Sequence, residues 1–172
     1  MEANQSKDFD REDDRILFAK ETEDSDAIQD LDERPWKVLI VDDEEEVHKI
    51  TTLALQDLTF EGKPLRFLSA YSGEEAKQLI RAHPDTAIVL LDVVMETENS
   101  GLEVVEYIRN ILGNQLVRII LRTGQPGRLQ ENLIVLKYDI NDYRTKTELT
   151  VQKLFTTVVT SLRTFSVLIG IS

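Results

Sequence analysis

The chain has 172 residues, room for one ordinary domain with extensions, and carries 32 acidic against 20 basic residues for a net charge of -12. It has no cysteine and two histidines, which excludes disulfides, thiolate metal sites and a cysteine nucleophile and argues against a multi-histidine centre. The acidic balance argues against direct nucleic-acid binding. No apolar run reaches the roughly 18 residues of a membrane helix, and the N-terminus lacks a secretion signal, so a soluble, cytoplasmic chain without membrane contact is expected.

Residues 1–34 hold 13 acidic and 5 basic side chains. That concentration predicts an acidic N-terminal arm outside the main core. One apolar patch interrupts it, Ile16-Leu17-Phe18-Ala19; it is read either as a docking turn of helix or as part of a solvated tail. Pro35 marks the boundary. From Trp36 onward, short runs rich in Val, Ile and Leu occur at residues 38–41, 65–70, 87–91 and 117–121, with a weaker fifth near 139–143. Such runs are the pattern of strands buried on both faces.

Helical spacing fills the gaps. Val47, Ile50, Ala54 and Leu58 share one face, as do Ala76, Leu79 and Ile80. The third group is Leu102, Val105, Ile108 and Leu112; the fourth is Leu129, Leu133 and Leu136. The last is Val151, Leu154, Phe155, Val158, Leu162 and Phe165, called helix on its 3–4 spacing despite its β-branched content. Strands and helices in alternation predict an α/β fold: a doubly wound, five-stranded parallel sheet with five helices over residues 35–165. Residues 166–172 extend the last apolar stripe and are expected to begin a connector to an output domain, or to support a homodimer.

In open α/β sheets, chemistry collects beyond the carboxyl ends of the strands. There the sequence places Val41-Asp42-Asp43-Glu44 after the first strand, Leu91-Asp92 at the third, Thr123-Gly124 at the fourth and Tyr143-Arg144-Thr145-Lys146 at the fifth. Taken singly, each has a plain structural use: Asp-Asp as a helix cap, Thr-Gly as a turn, Lys as surface. Together they present carboxylates whose mutual repulsion a hard cation such as Mg2+ relieves. A carboxylate in that setting can act as a nucleophile toward phosphorus, with a lysine and a hydroxyl to meet phosphate oxygens.

In this ordered set, residues 36 to about 165 resemble a response-regulator receiver domain of bacterial two-component signalling. The matching residues are Val41-Asp42-Asp43-Glu44, Leu90-Leu91-Asp92-Val93-Val94-Met95, Thr123-Gly124, and Tyr143 ahead of Lys146. The resemblance implies a flavodoxin-like sheet of strand order 2-1-3-4-5 with Asp92 as phosphoacceptor. It implies Mg2+ held by Asp43 and Asp92 directly, by Asp42 through water, and by the Val94 carbonyl. Thr123 and Tyr143 would be the switch pair and Lys146 the phosphate-contacting lysine. The partner would be a sensor histidine kinase or a phosphotransfer protein. The changed surface would be the fourth helix, fifth strand and fifth helix, acting on an output domain.

The chain would then not be an enzyme beyond its own phosphorylation and dephosphorylation. A phosphatase-type enzyme with the same metal arrangement, and a docking receiver without phosphorylation, are the alternatives. The former generally has a second aspartate two residues after the nucleophile, where this chain has Val94. The acidic arm and the Leu-Arg-Thr-Gly-Gln-Pro-Gly stretch further resemble receivers of cyclic-di-GMP phosphodiesterase regulators. Two departures stand out: Met95 is followed by Glu96 and Lys146 by Thr147, where receivers usually have proline. The loop after Met95 runs slightly long and is expected to set acidic residues at the pocket rim. His48, His83, Arg118 and Arg122 read as ordinary helix and surface or cross-strand residues, and Trp36 as packing at the start of the first strand.

Overall fold

Val38, Leu39, Ile40 and Val41 alternate between two faces of one strand, and all four are fully buried, so the sheet is covered on both sides. The computed structural model describes residues 34–124 and 131–171, of which 131–133 and 171 by backbone alone. Pro35–Ser172 form one unit, distinct from Met1–Arg34. The expected acidic arm, its 16–19 patch and Leu129 lie outside the described residues.

The elements in chain order are β1 (Trp36–Val41), α1 (Glu45–Leu55), β2 (Thr59–Phe60), β3 (Lys63–Ala70), α2 (Gly73–Ala82) and β4 (Ile88–Asp92). Then follow α3 (Ser100–Glu106) with a π-helical turn (Tyr107–Ile111), β5 (Arg118–Thr123), α4 (Glu131–Lys137), β6 (Asp142–Thr145) and α5 (Val151–Ile171). The sheet order is β2-β3-β1-β4-β5-β6. The five parallel strands β3, β1, β4, β5 and β6 reproduce the expected order 2-1-3-4-5 in a flavodoxin-like sheet.

The sixth strand was not expected. β2 is two residues long and pairs antiparallel with β3. Glu61 and Gly62, at φ 50° and 75°, make the tight turn between them. Two residues are too few to show an alternation. Trp36 fixes this corner by donating its indole N–H to the Phe60 carbonyl at 2.9 Å.

Leu39, Val41, Val89, Leu91, Ile119 and Leu121 pack against α2, α3 and α4. Val38, Ile40, Ile88, Leu90 and Ile120 pack against α1 and α5 on the other face. The order reverses between β3 and β4 on either side of β1, which makes the carboxyl ends of β1 and β4 the crevice of the fold.

Several helix faces differ from the sequence reading. In α1 the buried residues are His48, Thr51 and Leu55, while Ile50 is exposed. The face is half polar, so apolar counting selected the neighbouring one. Ala76 and Ile80 of α2 are buried as expected, with Ser72 capping the Glu75 N–H. Leu112 lies past the π turn, where its N–H bonds the Tyr107 carbonyl, and it is exposed. Among the residues of α4 whose side chains are described, Ile134 is buried and Leu136 is 84% exposed; the side chain of Leu133 lies outside them. Leu154, Val158, Leu162 and Phe165 of α5 are buried, but Val151 and Phe155 are exposed.

β6 starts at Asp142 rather than near 139, and the reason is Arg109. Its buried guanidinium donates to the Asp139 carbonyl at 2.9 Å, the Asn114 carbonyl at 2.8 Å and Asn141 Oδ1 at 3.0 Å. Residues 139–141 thus serve the end of the preceding helical segment before the strand begins. α5 continues unbroken past Phe165 to Ile171. Phe165 meets the Trp36 ring edge-on at 6.1 Å, and the Ser166 hydroxyl donates to the Glu61 carboxylate at 3.0 Å.

Candidate functional site

β1 ends at Val41, β4 at Asp92, β5 at Thr123 and β6 at Thr145, so the chain delivers Asp42, Asp43, Asp92, Thr123 and Lys146 to one edge. Asp42, Asp43 and Asp92 each present an oxygen within 4.8 Å of the other two. Asp42 and Asp92 are buried and Asp43 is exposed. Three hard oxygens at that spacing, with one side open to water, fit a small divalent cation that keeps part of its hydration.

Lys146 already reaches into this group. Its ammonium lies 2.9 Å from Asp42 Oδ2, 3.3 Å from Asp92 Oδ2 and 3.8 Å from Glu44 Oε1. Burial pulls the ammonium down, but the close contact with Asp42 and the charges of Asp92 and Asp42 outweigh it and leave its pKa above the usual value. Asp92 shifts upward too, from 3.8 to about 6. Burial is the main cause, followed by the negative charge of Asp42; Lys146 and the Val94 N–H oppose both. The peptide bonds of the described residues are all trans, that of Lys146 to Thr147 included, and the lysine still meets Asp92.

Asp42 is held on three sides. Its N–H bonds the Ala70 carbonyl at 3.1 Å, and Oδ1 accepts the Glu44 N–H at 2.9 Å. Its carbonyl accepts from His48 Nε2 at 2.7 Å. In the neutral ring Nδ1 is then free to accept from Ser69 Oγ, 3.1 Å away. The ring stacks on Tyr71 at 4.3 Å. His48, read as an ordinary helix residue, is therefore a buried prop of the β1 end. His48, Thr51 and Leu55 stand at helical spacing, but two of the three are polar, so the spacing gave no signal of burial.

Of the two readings of Arg122, surface or cross-strand, the structure takes the second: it is buried, stands opposite Asp92 in the β4–β5 register, and donates from Nη1 to Thr51 Oγ at 3.0 Å. Arg118, in contrast, bonds the Leu116 and Gln115 carbonyls near the surface. His83 ends α2 and sits 3.2 Å from the Lys37 ammonium, away from the site.

The loop after β4 shows how the missing proline is replaced. Glu96 turns its carboxylate to the first turn of α2 and accepts the Gly73 N–H with both oxygens, at 2.9 and 3.1 Å. It anchors the loop rather than lining the pocket rim. The Thr97 N–H bonds Ser100 Oγ at 2.7 Å, and the Gly101 N–H bonds the Val93 carbonyl at 2.9 Å. Val94 lies half-buried between these anchors. Thr123 is buried, and its carbonyl accepts the Lys146 N–H at 2.8 Å. Tyr143 stands beside Leu121 in register, half-buried against the core on the α2–α4 face.

Residues 38–158 match the response regulator receiver domain family. Over 133 residues the chain is 48% identical to the 3'3'-cGAMP-specific phosphodiesterase 2 of Vibrio cholerae serotype O1, covering 77% of this chain and 26% of that protein. The signal receiver domain of a putative Luxo repressor protein from Vibrio parahaemolyticus superposes with a TM-score of 0.67 at 18% identity, over 81% of this chain and 98% of that one. The signal receiver domain of an HD domain-containing protein from Pseudomonas fluorescens Pf-5 gives 0.65 at 20% identity, over 77% and 98%. These likenesses, with the aspartate crevice at the ends of β1 and β4, show that the chain belongs to the response regulator receiver domain family.

Proposed function

We propose that this chain is a phosphoacceptor switch in which Asp92 takes a phosphoryl group from the phosphohistidine of a sensor kinase or phosphotransfer protein. An Asp92 carboxylate oxygen bonds to phosphorus as the phosphorus–nitrogen bond breaks, and the released imidazole takes up a proton. Asp43 and Asp92 would hold Mg2+ directly, Asp42 through water, with the Val94 carbonyl as a further ligand. The ion supplies positive charge opposite the oxygens of the transferring group. Lys146 keeps its proton and meets one phosphate oxygen; Thr123 offers its hydroxyl to another. The observation that carries this reading is the meeting of three aspartate oxygens within 4.8 Å beside the Lys146 ammonium.

With phosphate in place, Thr123 moves toward it and Tyr143 turns into the space left, altering the surface of α4, β6 and α5. We infer an acidic arm over 1–34, a receiver over 35–165 and a connector beginning at 166. The output would be a cyclic-dinucleotide phosphodiesterase, an inference from the named activity of the 48% identical relative, of whose length this chain spans 26%. On this reading the chain itself turns over no substrate and works in the cytoplasm. The exposed Val167 and Ile169 near the end of α5 suit contact with that output domain or with a second copy.

Incubation with Mg2+ and acetyl phosphate is expected to add one phosphate, lost in Asp92→Asn and lost on chelation. Labelling that persists in Asp92→Asn would overturn the assignment. Thr123→Ala is expected to take up phosphate yet lose most of the chemical-shift response in β6 and α5. An unchanged response would overturn the relay alone.

A further inference from the structure

Arg122 is a buried charged side chain beside the crevice that the proposed chemistry does not use. It is 4% exposed, and among the described residues the one hydrogen bond of its side chain goes to the neutral hydroxyl of Thr51. That hydroxyl in turn donates to the Val47 carbonyl at 2.6 Å. Nε and Nη2 of Arg122 are buried without a hydrogen-bond partner. Burying a guanidinium is unfavourable unless negative charge compensates it. Strand register supplies that charge. Arg122 pairs with Asp92, so both side chains leave the sheet on the α1/α5 face. Asp42 follows the β1 residue paired with Leu91, which puts it in the same row.

We propose that Arg122 is a built-in counter-ion of the aspartate crevice, and that its charge holds the affinity of the site for a divalent cation low. The inference rests on the metal reading above and concerns its regulation. Burial lowers the pKa of the guanidinium from its usual value, while the negative charges of Asp42 and Asp92 oppose that shift, as mutual attraction requires. The cluster Asp42, Asp43 and Asp92 carries three negative charges against Lys146 and Arg122. Lys146 lies on a flexible, partly exposed stem and can swing toward an arriving phosphate. Arg122 has no such exit. It is enclosed by the sheet and bonded to α1, so every cation entering the crevice binds against its charge. The neighbouring residue on the same face of β5, Ile120, is apolar and fully buried, so bulk alone does not require arginine there.

Calorimetric titration of the full chain with Mg2+ tests this, with no phosphodonor present. Arg122→Met and Arg122→Gln are expected to bind Mg2+ about tenfold more tightly than the parent, and Arg122→Lys to stay within about twofold of it, because a unit charge at short range is removed in the first two and kept in the third. Glutamine can keep the bond to Thr51 and carries the comparison if the methionine variant does not fold. Equal or weaker binding by the neutral variants, with the parent binding Mg2+, overturns the counter-ion and leaves the phosphoacceptor reading standing. Equal tightening by Arg122→Lys also overturns it, since packing would then be the cause. No binding by the parent or any variant overturns both.

Discussion

Asp92→Asn, measured with Mg2+ chelated, is expected to make the folded chain more stable by about 3 kcal/mol near neutral pH. The reason is the burial of Asp92 beside Asp42, which raises its pKa from 3.8 to about 6. An acid whose folded pKa is raised takes up a proton on folding between those two values. Its favourable contribution is complete below the unfolded pKa and is lost as pH rises through the folded one. The parent should therefore lose stability between pH 3.8 and about 6, and the asparagine variant should not. Urea unfolding across that range reads the difference directly: no gain at the acid end, the full gain above pH 6. A variant less stable than the parent near neutral pH would mean that Lys146 compensates Asp92 fully. The same charge that destabilises the empty crevice makes it receptive to a cation, so the stability gain should shrink as Mg2+ is added.

Gly101→Ala is expected to cost about 3–5 kcal/mol, enough to unfold much of the population, because the clash is with backbone that cannot step aside. A Cβ there would lie 2.1 Å from the Asp92 carbonyl oxygen and 2.7 Å from Val93 Cα. The first turn of α3 is pressed onto the end of β4, and the Gly101 N–H bonds the Val93 carbonyl in the same contact. Whatever fraction folds must push back the strand end that carries Asp92, so phosphate uptake should fall with stability. Gly170→Ala is the control. Nothing lies within 4 Å of its Cβ, and it is helical, so no loss is expected. Equal losses for both would show that α3 does not need this close approach.

The parallel sheet was legible because its strands are buried on both faces and therefore read as unbroken apolar runs. The site was legible because the chain places reactive groups at the ends of four strands, two aspartates at the first and one group at each of the others. Sequence order alone sends those groups to one edge once the strands are parallel. Asp42, Asp43, Asp92, Thr123 and Lys146 are found there for that reason. Polar burial was not legible. His48 and Thr51 occupy the inner face of α1 because each has a partner distant in sequence, the Asp42 carbonyl and Ser69 for one, Arg122 for the other. Read along the chain they look like surface. Leu136 failed in the opposite sense, apolar in type yet exposed.

The sequence by itself determined a parallel sheet and the composition of the crevice, since both follow from periodicity and from the ends of parallel strands, while the order of those strands came only with the resemblance to receiver domains. Tertiary structure decided what stands behind and around them. Glu96 replaces a proline by reaching Gly73, 23 residues away in the chain. Arg109 delays β6 by taking the acceptors just before it. Arg122 sits under the aspartates because register aligns it with Asp92. Each depends on a hydrogen bond or a charge whose partner is supplied by another element, and no local pattern encodes a partner that only folding brings near.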